Sequence, residues 1–413
     1  MRRVAVTGLG VVSPIGVGLS AFKLSLLNGV SGIASVTRFD ASTYRVRLAG
    51  EVKSPLSLPD DIARIAEHDP KIGFAYAACD EALGDAGIRQ LNRRTLLHLG
   101  VSLEIFDLRR LVVRGHVDFN EVVNQVSSGR RDPLQSPLDG AVSAITRHWG
   151  VPGRTMTNCS ACAAGAQAIG QGFHAVRSGR FDVAVCGGFD SMINPLGVGG
   201  FQLLGALSED NDRLETICRP FDESRSGLAL GEGAGLLVLE PFADAEAAGK
   251  TIYAEVCGYG GSLDAYKLSA PSTDGDGAIR AMRSAILDAG ISPDAIGHIN
   301  AHGTGTILND AIEAGAIRTV FSKTRESIPV SATKSMTGHL IAAAGAIEAV
   351  ASVIAVNDNL LPANISLRNA GAGCELNHVK KTVSDFQGDY VLSNSFGFGG
   401  QNASLIFKRA RIQ

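Results

Sequence analysis

Residues 154–170 read RTMTNCSACAAGAQAIG. The first positions alternate as in a strand, which breaks at Asn158. From Cys162 the segment CAAGAQAIGQGFHAV continues as a helix of small residues, with the thiol in its first turn. A cysteine there meets unpaired N–H groups and the positive end of the helix dipole. That setting is expected to lower its pKa and favour a nucleophilic thiolate. Ala163, Ala164 and Gly165 leave the approach to the sulfur open. The same N–H groups are placed to steady an oxyanion on an attacked carbonyl. The plainer alternative is that Cys162 is a small buried residue, as free cysteines often are.

The whole chain sets bounds on this site. Its 413 residues are enough for two domain-sized units, and 45% hydrophobic against 19% charged residues allow a large core. A net charge of −3 gives no reason to expect a nucleic-acid partner. No apolar run is expected to span a bilayer. The opening Met1-Arg2-Arg3 followed by VAVTGLGVV reads as a first strand and turn, because Thr7, Gly8 and Gly10 interrupt a signal-like pattern. The seven cysteines are odd in number and scattered, which points to reduced thiols in a cytoplasm. Cys159 and Cys162 form a C-x-x-C, but neither a second pair nor nearby histidines accompany it as zinc would require.

Strand and helix patterns alternate along the chain. Strands are expected over 3–12, 96–103, 181–190, 234–240 and 251–260, with helices over 18–28, 70–88, 139–149, 277–291 and 309–321. Residues 295–306 read as a strand running into a polar turn, 327–359 as strand, loop and long helix, and 389–409 as a strand, a Gly-rich turn and a last strand. PLGVGGFQLLGALS (195–208) reads as a long loop. Gly227, Gly231, Gly233 and Gly235 read as a glycine-rich turn. It is not a phosphate loop, because no Lys-Ser/Thr follows and a strand comes next. The alternation predicts an α/β fold with mostly parallel sheets. A change of segment near Gly249 divides it into 1–250 and 251–413, two halves that echo each other.

Three further places qualify for one site with Cys162. They are His302 in NAHGTGT, Lys334 and His339 in TKSMTGH, and NSFGFGG from Asn394 to Gly400. Both histidines follow strands, at the edge where open α/β folds bind ligands. Neutral imidazoles there can donate N–H bonds to an enolate oxygen. Lys334 either biases their protonation, anchors a carboxylate network with Asp310, Glu313 or Glu348, or makes a partly buried salt bridge.

At this point the chain resembles the β-ketoacyl-[acyl-carrier-protein] synthases, condensing enzymes of the thiolase superfamily. The motifs VAVTGLGVVSPIG, SACAAG, PLGVGGF, RPFDESRSGLALGEGAGLLVLE, DAYKLSAP, NAHGTGT, KSMTGH and NSFGFGGQN carry the resemblance in that order over nearly the whole length. It implies a five-layered thiolase-like α-β-α-β-α fold. Cys162 would be the nucleophile, His302 and His339 the histidine pair, and Lys334 and Glu348 the supporting lysine and glutamate. Thr304, Thr306 and Ser269 would hold a pantetheine arm, Phe398 would gate the acyl pocket, and Phe201 would bind substrate. Asp310 and Asn394 would support the site. The implied reaction is a decarboxylating condensation of an acyl thioester with malonyl-acyl-carrier protein. It needs no metal and no cofactor beyond the carrier's phosphopantetheine. The implied partners are an acyl carrier protein and a second chain, either identical or a ketosynthase-like subunit, meeting near Arg154–Thr157. No membrane partner is implied.

Three departures qualify this. SLEIFDL (102–108) replaces a usual glycine-rich run beside the acyl pocket. Ala342 stands where glycine is usual. The carrier-docking face has Arg64 and Lys71 mixed with Glu67, His68 and Asp69, and Glu209 and Asp210 after Gly205, with Arg130, Arg131 and Arg147 as possible compensation. Two other classes compete. A non-condensing partner subunit would lack the nucleophile. A thiolase would need a second C-terminal cysteine, and past 257 there is only Cys374.

Overall fold

A computed structural model describes residues 1–106, 112–113, 116–117, 124, 135–212, 217–322 and 327–411. The main strands in chain order are β1 (Val4–Ser13), β2 (Thr95–Gly100), β3 (Arg154–Asn158), β4 (Val183–Ser191), β5 (Leu230–Pro241), β6 (Ala254–Leu263), β7 (Ile296–Asn300), β8 (Val330–Ser331), β9 (Tyr390–Phe396) and β10 (Gln401–Arg409). They run side by side as β3-β2-β4-β5-β1-β6-β10-β9-β7-β8. Numbered within each half, both sets of five follow the order 3-2-4-5-1, and they meet where β1 pairs with β6 at Val4 and Val256.

The sheet is mixed rather than mostly parallel. β2 pairs parallel with β3 and β4, and β7 with β8 and β9. The central pairs are antiparallel. Between β9 and β10 the reason is local: a short turn at Phe398–Gly400 joins them, and only antiparallel neighbours can be joined so briefly.

Seven helices matter here: α1 (Pro70–Asp85), α2 (Gly140–Trp149), α3 (Ala164–Arg177), α4 (Pro195–Leu203), α5 (Asp276–Ala289), α6 (Ile307–Val320) and α7 (Ala344–Asp358). α1 and α2 cover the outer face of the first five strands, and α5 and α6 cover that of the second five. α3 and α7 lie between the two sets, in the largest core cluster. The result is a five-layered α-β-α-β-α sandwich.

α7 is buried at every position from Ala344 to Val356, which is why its sequence is apolar on all sides. With the turn before it, Ile341–Asp358 is an 18-residue run long and apolar enough for a bilayer, yet 89% of it is buried inside the fold. The expectation that no run is that long is therefore corrected, and burial explains the run. Glycines let α3 and α7 touch. A Cβ on Gly165 would lie 2.7 Å from the Ala342 carbonyl oxygen, and one on Gly345 would lie 2.9 Å from Cβ of Ala166.

Two local readings also change. Residues 195–203 are helical, not loop, because Asn194 caps the turn: its Oδ1 accepts the Gly197 N–H at 2.9 Å, and Pro195 occupies the first helical position. Gly231, Gly233 and Gly235 lie within β5, not in a turn. Their missing side chains admit the backbone of Thr337, Val12 and Ala346.

Candidate active site

Cys162 sits in the 3-10 turn Ala161–Ala163, which joins β3 to α3. Ala161 holds φ 47°, a left-handed conformation that costs a non-glycine residue about 1–2 kcal/mol. The turn pushes the sulfur out of the strand-to-helix path. Backbone N–H groups of Phe398 and of Cys162 itself point at the sulfur. Gly397 makes the first possible, since a Cβ there would come within 3.0 Å of the Cys162 amide nitrogen.

The prediction of a lowered thiol pKa is overturned. Burial pushes Cys162 up to about 11, against the pull of the Phe398 N–H and the Lys334 charge. The residue is 2% exposed, and the loss of water outweighs a helix end that begins two residues further on. The resting sulfur is a thiol.

His302 follows β7 and is fixed by acidic side chains behind it. Glu313 on α6 accepts the N–H groups of His302 and Gly303, each at 2.8 Å. Asp310 accepts those of Thr304 and Gly305, at 3.0 and 3.1 Å. Asn394 donates to Glu313 at 3.3 Å and accepts from Ser404 at 2.8 Å. Asp310 and Asn394 therefore support the loop, and Glu313 carries more of that load than the sequence reading gives it.

His339 is pinned to the start of β5 through its own backbone, its N–H donating to the carbonyl of Ala229 just before the strand at 2.7 Å and its carbonyl accepting the Gly231 N–H at 2.8 Å. Its Nδ1 accepts the Ile341 N–H at 3.1 Å. Nζ of Lys334 lies 3.2 Å from Nδ1 of His302 and 2.5 Å from Oε1 of Glu348. Of the three carboxylates proposed for Lys334, it is Glu348 that pairs with it. Burial first, then the Lys334 charge, holds both imidazoles well below the usual histidine range. Each is neutral with Nδ1 accepting, so the proton resides on Nε2.

The two rings lie 5.2 Å apart. The Cys162 sulfur and one nitrogen of each ring are all within 4.8 Å of one another. Three such donors are close enough for a cation, but the buried Lys334 ammonium beside them and the elevated thiol pKa both oppose one.

A cavity of about 260 Å³ opens onto the three. Thr304, Thr306, Ser269 and Phe398 line it, and the two threonine hydroxyls are 2.9 Å apart. Phe201 does not line it, but its ring lies 6.0 Å from that of Phe398. Lys334, Glu348, Asp310 and Asn394 stand behind the lining.

One residue escaped the sequence reading. Asp190, fully buried at the end of β4, accepts the Ala342 N–H on Oδ2 at 3.0 Å and so fixes the turn after His339. A lone acid inside the apolar strand VAVCGGFD was the available signal. Lys71 is corrected as a docking residue: it is 1% exposed and paired with Asp69 at 2.8 Å. Residues 107–108 of the departing segment, and Arg130 and Arg131, lie outside the described residues.

With this geometry in hand, sequence comparison gives the class. The profile for "Beta-ketoacyl synthase, N-terminal domain" matches residues 1–245, and that for "Beta-ketoacyl synthase, C-terminal domain" matches residues 253–368. The chain belongs to the β-ketoacyl synthase family, the thiolase-fold condensing enzymes. It is 37% identical to 3-oxoacyl-[acyl-carrier-protein] synthase 2 of Staphylococcus aureus (strain COL), over 99% of this chain and 98% of that one. It is also 37% identical to the enzyme of the same name from Coxiella burnetii, over 99% of both chains. A β-ketoacyl synthase from Burkholderia phymatum superposes with TM-score 0.88 at 30% identity, over 100% of both chains. The ishigamide ketosynthase/chain length factor superposes with TM-score 0.85 at 33% identity, over 99% of this chain and all of that one. A type II PKS acyl-carrier protein in complex with its ketosynthase also matches, with TM-score 0.85 at 29% identity and the same coverage. The chain is an acyltransferase of the condensing type.

Proposed function

We propose that Cys162 carries the acyl chain and that His302 and His339 together hold the nucleophile's enolate. The observation that supports this is the convergence of one sulfur and two imidazole nitrogens within 4.8 Å at a cavity lined by paired threonines. In the first half-reaction the sulfur attacks the carbonyl carbon of an acyl thioester. The carrier's C–S bond breaks, and the proton lost by Cys162 leaves with the carrier thiol. The N–H groups of Cys162 and Phe398 hold the tetrahedral oxyanion. In the second, malonyl thioester loses CO2, and the electrons of the broken C–C bond form an enolate. Two Nε2–H donors steady its oxygen. Its carbon attacks the acyl-cysteine, the Cys162 C–S bond breaks to release a β-ketoacyl thioester, and the departing thiolate takes one proton from water to restore the resting thiol. Thr304, Thr306 and Ser269 would steer the pantetheine arm. The chain's own side chains and backbone N–H groups supply every protein group these steps use, so no metal or resident cofactor is included.

The partner reading is an acyl carrier protein and a dimer across β3, whose outer side has no neighbour among the described strands and whose Arg154 and Thr155 are exposed. A heterodimer with a chain-length subunit is the second reading, favoured by the ketosynthase/chain length factor relative. We also infer two thiolase-like halves, 1–250 and 251–413, supported by the repeated strand order. Seven unpaired cysteines fit a reducing, cytoplasmic setting.

Intact-protein mass spectrometry tests the assignment. Acyl-carrier protein should add one acyl mass to the chain and none to Cys162→Ala. Subsequent malonyl-carrier should remove it with release of CO2. Condensation unchanged in Cys162→Ala would overturn the nucleophile.

A further inference from the structure

We propose that the carrier protein docks on an apolar collar at the cavity mouth, not on a basic patch. Three segments meet there. The end of α4 exposes Leu203 and Leu204, at 90% and 56%. The loop before Ser269 exposes Leu268 at 86%. The first turn of α6 exposes Ile307 and Leu308, at 64% and 58%. Leu204, Ser269, Ile307 and Leu308 all line the cavity that reaches Cys162, and Leu203 and Leu268 are the chain neighbours of Leu204 and Ser269, so the three exposed segments border that opening. Singly scattered surface leucines need no explanation, but a contiguous group marks an interaction site.

The inference rests on the condensing reading, because the occupant follows from the chemistry. A thioester delivered on a tethered arm of fixed length brings the body of its carrier to whatever surrounds the opening. Among the described residues beside the mouth, the basic groups already have partners. Arg219 is paired with Asp210 at 3.2 Å. Arg225 is 7% exposed and donates to the carbonyls of Thr306 and Ile307, at 3.2 and 2.9 Å. Arg45 is matched by Glu209 at 3.5 Å. Lys267 lies over the Tyr266 ring, 5.2 Å from its centre. Among the described residues, the basic groups beside the mouth are thus engaged, while its leucines and isoleucine stand exposed. The matching partner surface is an apolar helix face of the carrier.

The test compares one acyl group on carrier protein with the same group on N-acetylcysteamine, a thioester too small to touch the collar. The variant is Leu203→Gln with Leu268→Gln, two residues outside the cavity lining. Its KM for acyl-carrier should rise about tenfold or more, with kcat/KM for the small thioester unchanged. Raising salt from about 50 to about 500 mM should leave the wild-type KM for carrier level or lower, since salt screens charge but strengthens apolar contact. A KM that climbs severalfold with salt and ignores the two substitutions would overturn the collar in favour of charge docking. Failure of both thioesters to load Cys162 in the wild type would instead overturn the condensing reading itself, and the collar with it.

Discussion

Lys334 donates to His302 twice, to Nδ1 at 3.2 Å and to the backbone carbonyl at 2.5 Å. The ammonium thereby keeps Nδ1 an acceptor and Nε2 a donor, and its charge adds to burial, the larger cause, in holding the ring neutral. Lys334→Met removes both controls. Condensation should fall about 100- to 1000-fold, the cost of about one lost oxyanion donor. Acyl loading of Cys162 should fall less, because it relies on the N–H groups at the sulfur. The variant also leaves Glu348 without its cation, which costs about 3–5 kcal/mol when a buried pair is broken. Glu348 is already pushed up to about 7, chiefly by burial, and regains part of this by protonating. Lys334→Met with Glu348→Gln should recover the melting temperature and not the activity, which thermal denaturation and single-turnover assays would separate.

The thiol of Cys162 titrates near 11. Alkylation of this residue by iodoacetamide should therefore rise about tenfold per pH unit between about 7 and 10, with no plateau near neutrality. Peptide mass spectrometry should follow the site, because Cys159 is exposed and also reacts. A plateau below pH 8 would restore the thiolate that the sequence predicts.

Glu313 is pushed up to about 7 by burial, despite the N–H donors of Gly303 and His302. An acid raised above its unfolded value holds its proton longer when folded. Its contribution to stability is complete below about 4.5 and is lost as pH rises through about 7. Glu313→Gln does not titrate. The melting-temperature advantage of wild type over Glu313→Gln should shrink between pH 5 and 8, the reverse of an ordinary carboxylate. Widening over that range would show the carboxylate to be stabilised by its N–H donors more than burial penalises it.

Gly397 has ordinary backbone angles, so alanine there is a test of space alone. Its Cβ would press on the amide nitrogens of Cys162 and Ala163, at 3.0 and 3.2 Å. The neighbouring Phe398 N–H must then move from the sulfur. Gly397→Ala should slow acyl loading about 100-fold while shifting the melting temperature by only a few degrees, about 1 kcal/mol of overpacking.

Much of this was legible because motifs carry local chemistry. Cys162, His302, His339 and Lys334 each sit in short runs whose glycines and threonines leave room for a ligand, and the fold brings them together. The strand of Val4–Ser13 follows from an apolar run, and the helix Pro70–Asp85 from apolar residues at helical spacing after Pro70. Other features depend on neighbours that no local pattern shows. Gly231, Gly233 and Gly235 look like a turn until the backbones crossing β5 are known. Lys71 looks like a surface cation until Asp69 closes on it. The thiol pKa was misjudged because a helix end is visible in sequence and the depth of burial is not. The Asn194-Pro195 helix start was visible and was outweighed by glycines in the helix that follows.

The two halves repeat even the bend that presents the sulfur: Ala161 has φ 47° and Ile341 has φ 46°, each opening a 3-10 turn. Ala342 is thus the twin of Cys162. In the first half the turn faces the cavity, while in the second its amide is stoppered by the Asp190 carboxylate. The second bend has become an anchor for His339 rather than a workplace of its own. A sulfur grafted there by Ala342→Cys would sit beside a negative charge and away from the tunnel, so the doubled chain should still take up a single acyl group.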